Sequence, residues 1–316
     1  MPEAPVSDIV ELAVLAETLG YNRCWVYDEG LATRDVYVTM TAIALATERI
    51  EIGPGITNAY TRHPATTAAA MASLDELADG RAFLGVGAGG SLTLGPLNVD
   101  RTKPLSAVRD LIGMCRALFS GAATTMGSPI GSLAGATLGF ARPDLPIWVA
   151  GRGPKMLALG GELADGVMLD FLHEAAIGPA VELIRAGAVR SSNRPRICYS
   201  TLVVTDDNSL DMVRPHMTYR LVDSQPEVRA RIGLSDDDRE AIRAAMSEGL
   251  EAAGRLVKDE WVLPFVIAGS ESDCARQIRR LHDHHGIEEF MLPVLDLPTA
   301  ADYITRVARV LNYARS

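Results

Sequence analysis

The chain has 316 residues, 48% of them hydrophobic and 22% charged, which suits one sizeable core and excludes a disordered or fibrous chain. Its 30 basic and 40 acidic residues give a net charge of −10, with no clustered run of Lys and Arg, so nucleic acid is excluded as a partner. Cys24, Cys115, Cys198 and Cys274 stand alone at wide spacings, a pattern that fits a reducing compartment and neither a disulfide framework nor a zinc site. The opening residues carry acids and no long apolar core, so they read as no signal peptide. No uncharged apolar stretch approaches the roughly 18 residues of a membrane span. The expectation is a soluble, cytoplasmic protein.

In chain order, strand and helix alternate. Asp8 to Leu19 has helical apolar spacing and stops at Gly20; Arg23–Tyr27 is a short apolar run ending in Asp28-Glu29. A helix over 35–46 leads into a strand at Arg49–Gly53, and Pro64 opens a helix running to Ala78. A strand at Ala82–Val86 precedes Gly87-Ala-Gly-Gly-Ser91, and Pro104–Phe119 is an amphipathic helix. Residues 121–145 break the rhythm with Gly, Ser, Thr and Pro, and Thr124 to Phe140 reads as a polar excursion forming a small hairpin. Strands at 146–150, 165–169 and 196–204 then alternate with helices at 154–163 and 179–190. Residues 206–260 are too long for one crossover helix and read as a helical insertion. Ser270 caps a helix to His285, Glu288–Val294 is the last strand, and 298–314 is the closing helix.

These strands are continuous apolar runs, the pattern of a parallel sheet buried on both faces. Repeated strand–helix units with no central break predict a single α/β domain over 1–316, a TIM-type (β/α)8 barrel, with an open doubly wound sheet as the alternative. Seven strands are visible and the chain opens on a helix, so an eighth, first strand is expected ahead of residue 1.

Chemistry in a parallel barrel collects at the C-terminal strand ends. Here these are Asp28-Glu29, Gly53-Pro-Gly-Ile-Thr57, Gly87-Ala-Gly-Gly90, Ala150-Gly-Arg-Gly-Pro154, Asp170 and Thr205-Asp206. Three are glycine-rich, so backbone can approach a flat or phosphorylated ligand closely. The turn Gly151-Arg152-Gly153 opens a helix beside a fixed cation and reads as a phosphate cradle; by itself, it is also an ordinary strand–helix joint.

Residues 21–121 and 146–170 resemble the luciferase-like superfamily of flavin- and deazaflavin-dependent oxidoreductases, and within it the methylene-tetrahydromethanopterin reductase branch. The stretches that carry the resemblance are Trp25-Val-Tyr-Asp-Glu29, the run from Tyr37 to Leu45, Gly53–Pro64, Ser73–Gly87 and Gly151–Met156. The resemblance implies a flavin-type tricycle, coenzyme F-420 or FMN, across the barrel mouth. It implies a non-proline cis peptide at Gly55-Ile56 behind the ring, with Thr57 beside it. Gly87, Ala88 and Gly89 would line the cofactor, Gly151, Arg152 and Gly153 would receive its phosphate, and Ala150 belongs to the same cofactor-binding set. Deazaflavin-using relatives commonly carry Asp-His where this chain has Asp28-Glu29, which leaves the two cofactors open. Glu29, with Asp28, is the candidate proton donor, because burial beside an apolar ring raises a carboxyl pKa.

The expected function is hydride transfer between a reduced deazaflavin or FMN and a small organic substrate. The alternatives are an oxygen-using FMN monooxygenase, a non-catalytic flavin-binding barrel, and a phosphate-binding lyase or isomerase. For His63 a place at the mouth and a local helix-entry hydrogen bond are equal readings. His282, His284 and His285 sit at a helix end without a ligand set, so no metal is expected. By the same resemblance the chain is expected to be a homodimer.

Overall fold

In the computed structural model, which describes residues 4–315, all seven expected strands form and pair in parallel. Twelve β segments are present among the described residues. They are β1 Arg23–Val26, β2 Glu51–Pro54, β3 Thr57–Asn58, β4 Leu84–Gly87, β5 Thr124–Ser128 and β6 Gly131–Ala136. Beyond these lie β7 Ile147–Gly151, β8 Gly166–Asp170, β9 Arg196–Ser200, β10 Val203–Val204, β11 Ile267–Ala268 and β12 Glu289–Met291. The main sheet runs β12-β9-β8-β7-β4-β3, and β1 pairs with β2, which a bridge from Ile52 to Ala82 joins to the start of β4. The order round the barrel therefore follows the chain, and the sheet stays open between β1 and β12. β5 and β6 form the antiparallel hairpin expected in the polar excursion.

The helix boundaries follow local chemistry. Asp35 accepts hydrogen bonds from the N–H groups of Tyr37 and Val38 and starts Val36–Ala46. Pro64, Pro104 and Pro154 each occupy the first turn of a helix, where a missing N–H costs nothing. Ser270 and Asp273 form a capping box on Glu271–His285, which Gly286 ends in a left-handed conformation at φ +70°. Three boundaries differ from expectation. The helix read as starting at Pro179 begins at Glu174, because the His173 ring accepts the Ala175 N–H at 3.1 Å and caps it there; Pro179 lies inside. The run 196–204 breaks after Ser200 and resumes as β10, which pairs with β11 and not with the main sheet. The last strand stops at Met291, where its register with β9 ends, short of the expected Val294. The insertion folds as short helices over 207–262 around its own core, including Met217, Leu221 and Trp261. No helix among the described residues is long and apolar enough to cross a membrane.

The barrel interior holds Phe83, Trp148, Met168 and Cys198 with Trp25, Ile56 and Met291 against them. Trp25 lies edge-on to Phe83 at 4.5 Å and to Trp148 at 5.5 Å between ring centroids. The Arg23 guanidinium stands 4.3 Å from the Trp148 ring centroid and pairs with Glu51 and Glu289, closing the N-terminal end. Glycine makes the room for these rings. A Cβ on Gly85 would lie 2.1 Å from the Pro54 carbonyl oxygen and 2.9 Å from the Trp25 ring. Gly85→Ala is therefore expected to cost about 1–3 kcal/mol, read from urea unfolding. Gly127→Ala, where the added methyl meets open space, should change stability by less than about 0.5 kcal/mol.

Candidate active site at the barrel mouth

Parallel register brings the strand ends to one rim. Val26 is level with Pro54, Asn58 with Gly87, Gly151 with Leu169, and Asp170 with Ser200, which is level with Met291. The residues that follow, from Tyr27-Asp28-Glu29 round to Thr201, thus form a common mouth. A cavity of about 860 Å³ lies elsewhere, along the open seam between β1 and β12. Of the candidate cofactor-binding residues, only Gly55 lines it.

The Gly55-Ile56 bond is cis. Behind it, the Ile56 side chain takes the space above Gly87, where a Cβ would lie 1.9 Å from Ile56 Cδ1. Gly87 therefore serves this packing, while Ala88 and Gly89 continue half-buried along the rim. Gly90 and Gly153 differ in kind: a Cβ on either would meet nothing within 4 Å, so their backbone faces free space. Arg152 is exposed beside Gly153, and Ala150 is buried below it. Helix Pro154–Leu163 starts without a side-chain cap, leaving its first N–H groups for an acceptor.

Opposite stand the two carboxylates. Burial raises the Asp28 pKa; the nearby Thr57 hydroxyl and the Arg62 guanidinium oppose that rise, and Asp35 adds to it. Thr57 Oγ1 is itself buried without a complete hydrogen bond among the described residues, as is the Tyr37 hydroxyl. The Arg62 guanidinium sits 4.1 Å from the Tyr37 ring centroid, and burial raises the Tyr37 pKa to about 12. Burial also raises the Glu29 pKa, and the charge of Asp28 pushes it further up. Both carboxyls are thus biased towards holding a proton.

Two residues outside the sequence-based set complete the rim. Arg220, from the insertion helix Asp207–Val222, donates to Asp170 Oδ2 at 3.1 Å and to the carbonyls of Asp170 and Phe171 at 3.3 Å each. Its guanidinium lies 4.6 Å from the Phe171 ring centroid, and Phe171 is held at φ +45°. Asp170 also accepts from Ser200 Oγ at 3.2 Å. No spacing ties position 220 to position 170, so only the fold reveals this latch. His63 takes the local reading: its Nδ1 accepts the Ala65 N–H at 3.1 Å. Among the described residues no three His, Cys, Asp or Glu side chains converge as a metal group would.

Because its folded pKa is raised, ionised Asp28 costs stability above that pKa, and the cost disappears where both folded and unfolded chains are protonated. Asp28→Asn is expected to raise the melting temperature at about pH 7. The gain should shrink as pH falls through the raised pKa and vanish below the unfolded value of about 3.9. A gain that grows on acidification would contradict this.

The luciferase-like monooxygenase family model matches residues 1–286. The chain is 32% identical over 291 residues to the 5,10-methylenetetrahydromethanopterin reductase of Methanolobus tindarius, covering 90% of this chain and 89% of that one. It is 32% identical over 292 residues to the Archaeoglobus fulgidus protein of the same name, covering 89% and 88%. Among solved structures, the coenzyme F-420 dependent tetrahydromethanopterin reductase of Methanopyrus kandleri superposes with a TM-score of 0.88 at 24% identity, over 97% of this chain and 95% of that one. The chain belongs to the luciferase-like monooxygenase family.

Proposed function

We propose that this protein is a cytoplasmic oxidoreductase that transfers a hydride between coenzyme F-420, or FMN in its place, and a small organic substrate. The observation that carries the reading is the pairing of two features across one mouth. On one side are the open backbone at Gly90 and Gly153 and the uncapped helix beside Arg152. On the other are two half-buried carboxyls whose pKa values burial raises. The kinship with reductases named for 5,10-methylenetetrahydromethanopterin favours the deazaflavin and makes a methylene-tetrahydropterin the first substrate to screen.

The residues present fit such a cofactor. Gly151, Arg152 and Gly153, with the N–H groups of the helix start, would hold its phosphate. Gly55, Ile56 and Thr57 would back its ring, with Gly87, Ala88 and Gly89 along its edge. When bound, the reduced cofactor supplies the hydride. Glu29 would hold the proton near the acceptor. Where deazaflavin relatives carry an imidazole, a protonated carboxyl offers the same donor, and burial shifts the Glu29 pKa upward, in the direction that role needs. Asp28, braced by Arg62 and Thr57, would raise the Glu29 pKa further when it is ionised. The insertion, fastened at Asp170 by Arg220, would wall the substrate side and exclude water.

Titration with F-420 and with FMN, followed by fluorescence, tests the reading: one of them should bind, and binding of neither sinks it. Arg152→Ala is expected to weaken that binding by about tenfold. Glu29→Gln should leave binding intact and lower kcat by about 100-fold.

The homodimer is part of the same proposal. Helix Val36–Ala46 is apolar on its outer face as well as its inner one, with Val38 61% and Leu45 70% exposed. A second copy would cover this face. Leu45→Glu is expected to convert a dimer to a folded monomer in sedimentation velocity; a wild-type chain that sediments as a monomer would rule the dimer out.

A further inference from the structure

A guanidinium from the insertion reaches the strand ends that carry the glycine cradle. Gly151, at the end of β7, is level with Leu169 of β8, so the residues that follow, Arg152 and Asp170, leave adjacent strands as neighbours. Such strands lie about 4.8 Å apart. Arg220 meets the same carboxylate from the other side, with its Nη2 3.1 Å from Asp170 Oδ2. Arg152 makes no ion pair among the described residues. Two cations therefore flank one carboxylate, beside a helix whose first N–H groups have no side-chain cap.

Arg220 is held loosely by its charge and firmly by its seat. Its bonds to Asp170 Oδ2 and to the Asp170 and Phe171 carbonyls measure 3.1, 3.3 and 3.3 Å, longer than the roughly 2.7–2.9 Å of a tight charge-assisted bond. A guanidinium has five N–H donors, so these bonds leave some of them without an acceptor among the described residues. Burial lowers the Arg220 pKa, Asp170 raises it, and the charge of Arg152 is near enough to lower it again. Beneath the guanidinium lies the Phe171 ring, and the Phe171 N–H donates to the Ser200 carbonyl at 2.9 Å, which fixes the seat to β9. On the same helix as Arg220, Met217 and Leu221 are buried in the core of the insertion. The guanidinium and the insertion helix thus take up one position together.

We propose that Arg220 is the second cation of the cradle: a phosphate received at Gly151–Gly153 sits between Arg152 and Arg220 and so fastens the insertion to the rim. The proposal rests on the reading of that turn as the cofactor's phosphate site and adds to it a residue from outside the barrel. A planar fork can keep a carboxylate on one edge and offer donors on the other to a phosphate, which a single ammonium does less well. Asp170 also accepts from Ser200 Oγ at 3.2 Å, so it keeps a partner when Arg220 is shared. The phosphate brings the negative charge that one carboxylate between two guanidinium groups lacks. Filling the cradle and fixing the substrate wall then become one event, and the substrate meets a settled insertion only after the cofactor is in place.

Amide hydrogen exchange in the insertion helix, measured with ligand affinity, tests this. Inorganic phosphate, against sodium chloride of equal ionic strength, is expected to slow exchange over 216–222 about tenfold in the wild-type chain and not in Arg220→Gln. F-420 or FMN should bind Arg220→Gln about tenfold more weakly, whereas riboflavin, which lacks the phosphate, should bind both proteins within about twofold. Arg220→Lys keeps the charge and the packing of the stem; it should show the same contrast to a smaller extent, and it serves if the glutamine variant does not fold. Wild-type exchange that phosphate leaves unchanged overturns the proposal. So does an equal loss of FMN and riboflavin affinity, the result of a latch that is only structural. The phosphate measurement needs no cofactor, so it decides this proposal even if neither F-420 nor FMN binds and the hydride-transfer reading falls.

Discussion

Trp25, Phe83 and Trp148 fill the barrel axis, and the strands can surround them because glycine stands where a side chain would collide. Gly85 yields to the Trp25 ring, Gly55 to the Trp25 Cβ at 2.7 Å, and Gly166 to the Trp148 ring at 2.3 Å. The edge-on contacts among the rings and the guanidinium of Arg23 beneath them make this column a fixed post. Everything at the mouth is referred to it. Trp25 sets the height at which β1 releases Asp28 and Glu29, and the same ring bears on Gly55, the residue before the cis bond. Interior packing is thus what aligns a carboxyl pair with a glycine rim made from other strands.

That alignment places unlike electrostatics on the two sides of one opening. The Gly151–Gly153 side offers N–H groups, a helix N-terminus and an exposed guanidinium, all suited to a phosphate. The Asp28–Glu29 side is partly desolvated, and the charge of Asp28 makes ionisation of Glu29 harder. Arg62 tempers this at Asp28 and does not figure among the causes at Glu29, so the two neighbours are not equivalent.

Much of this was legible in the residues. Continuous apolar runs gave parallel strands, prolines gave helix starts at 64, 104 and 154, and the Gly-Ser-Thr-Pro excursion gave the hairpin. The family resemblance brought the strand-end glycines and the Gly55-Ile56 bond into view. What the sequence hid depends on contacts between distant positions. A histidine cap moved a helix start from 179 to 174. A packing role for Gly87 becomes visible only once Ile56 lies over it. The Asp170–Arg220 latch joins residues 50 apart across an irregular insertion. The raised carboxyl pKa values also needed the fold, since burial, their first cause, is a property of the whole mouth.

The insertion builds a core apart from the aromatic column of the barrel, sharing it with Leu202 and Val204 at the barrel's edge. Leu210, Met217, Leu221, Ile242, Trp261 and Phe265 pack with one another in a cluster separate from that of Phe83 and Trp148. The insertion meets the rim where Arg220 grips Asp170 and Phe171 and where the Phe265 carbonyl accepts from Thr201 at 2.7 Å. Such a chain can drift in what it accepts while keeping how it reacts. Descendants of one gene can keep the strand-end rim and diverge by remodelling the residues of the insertion.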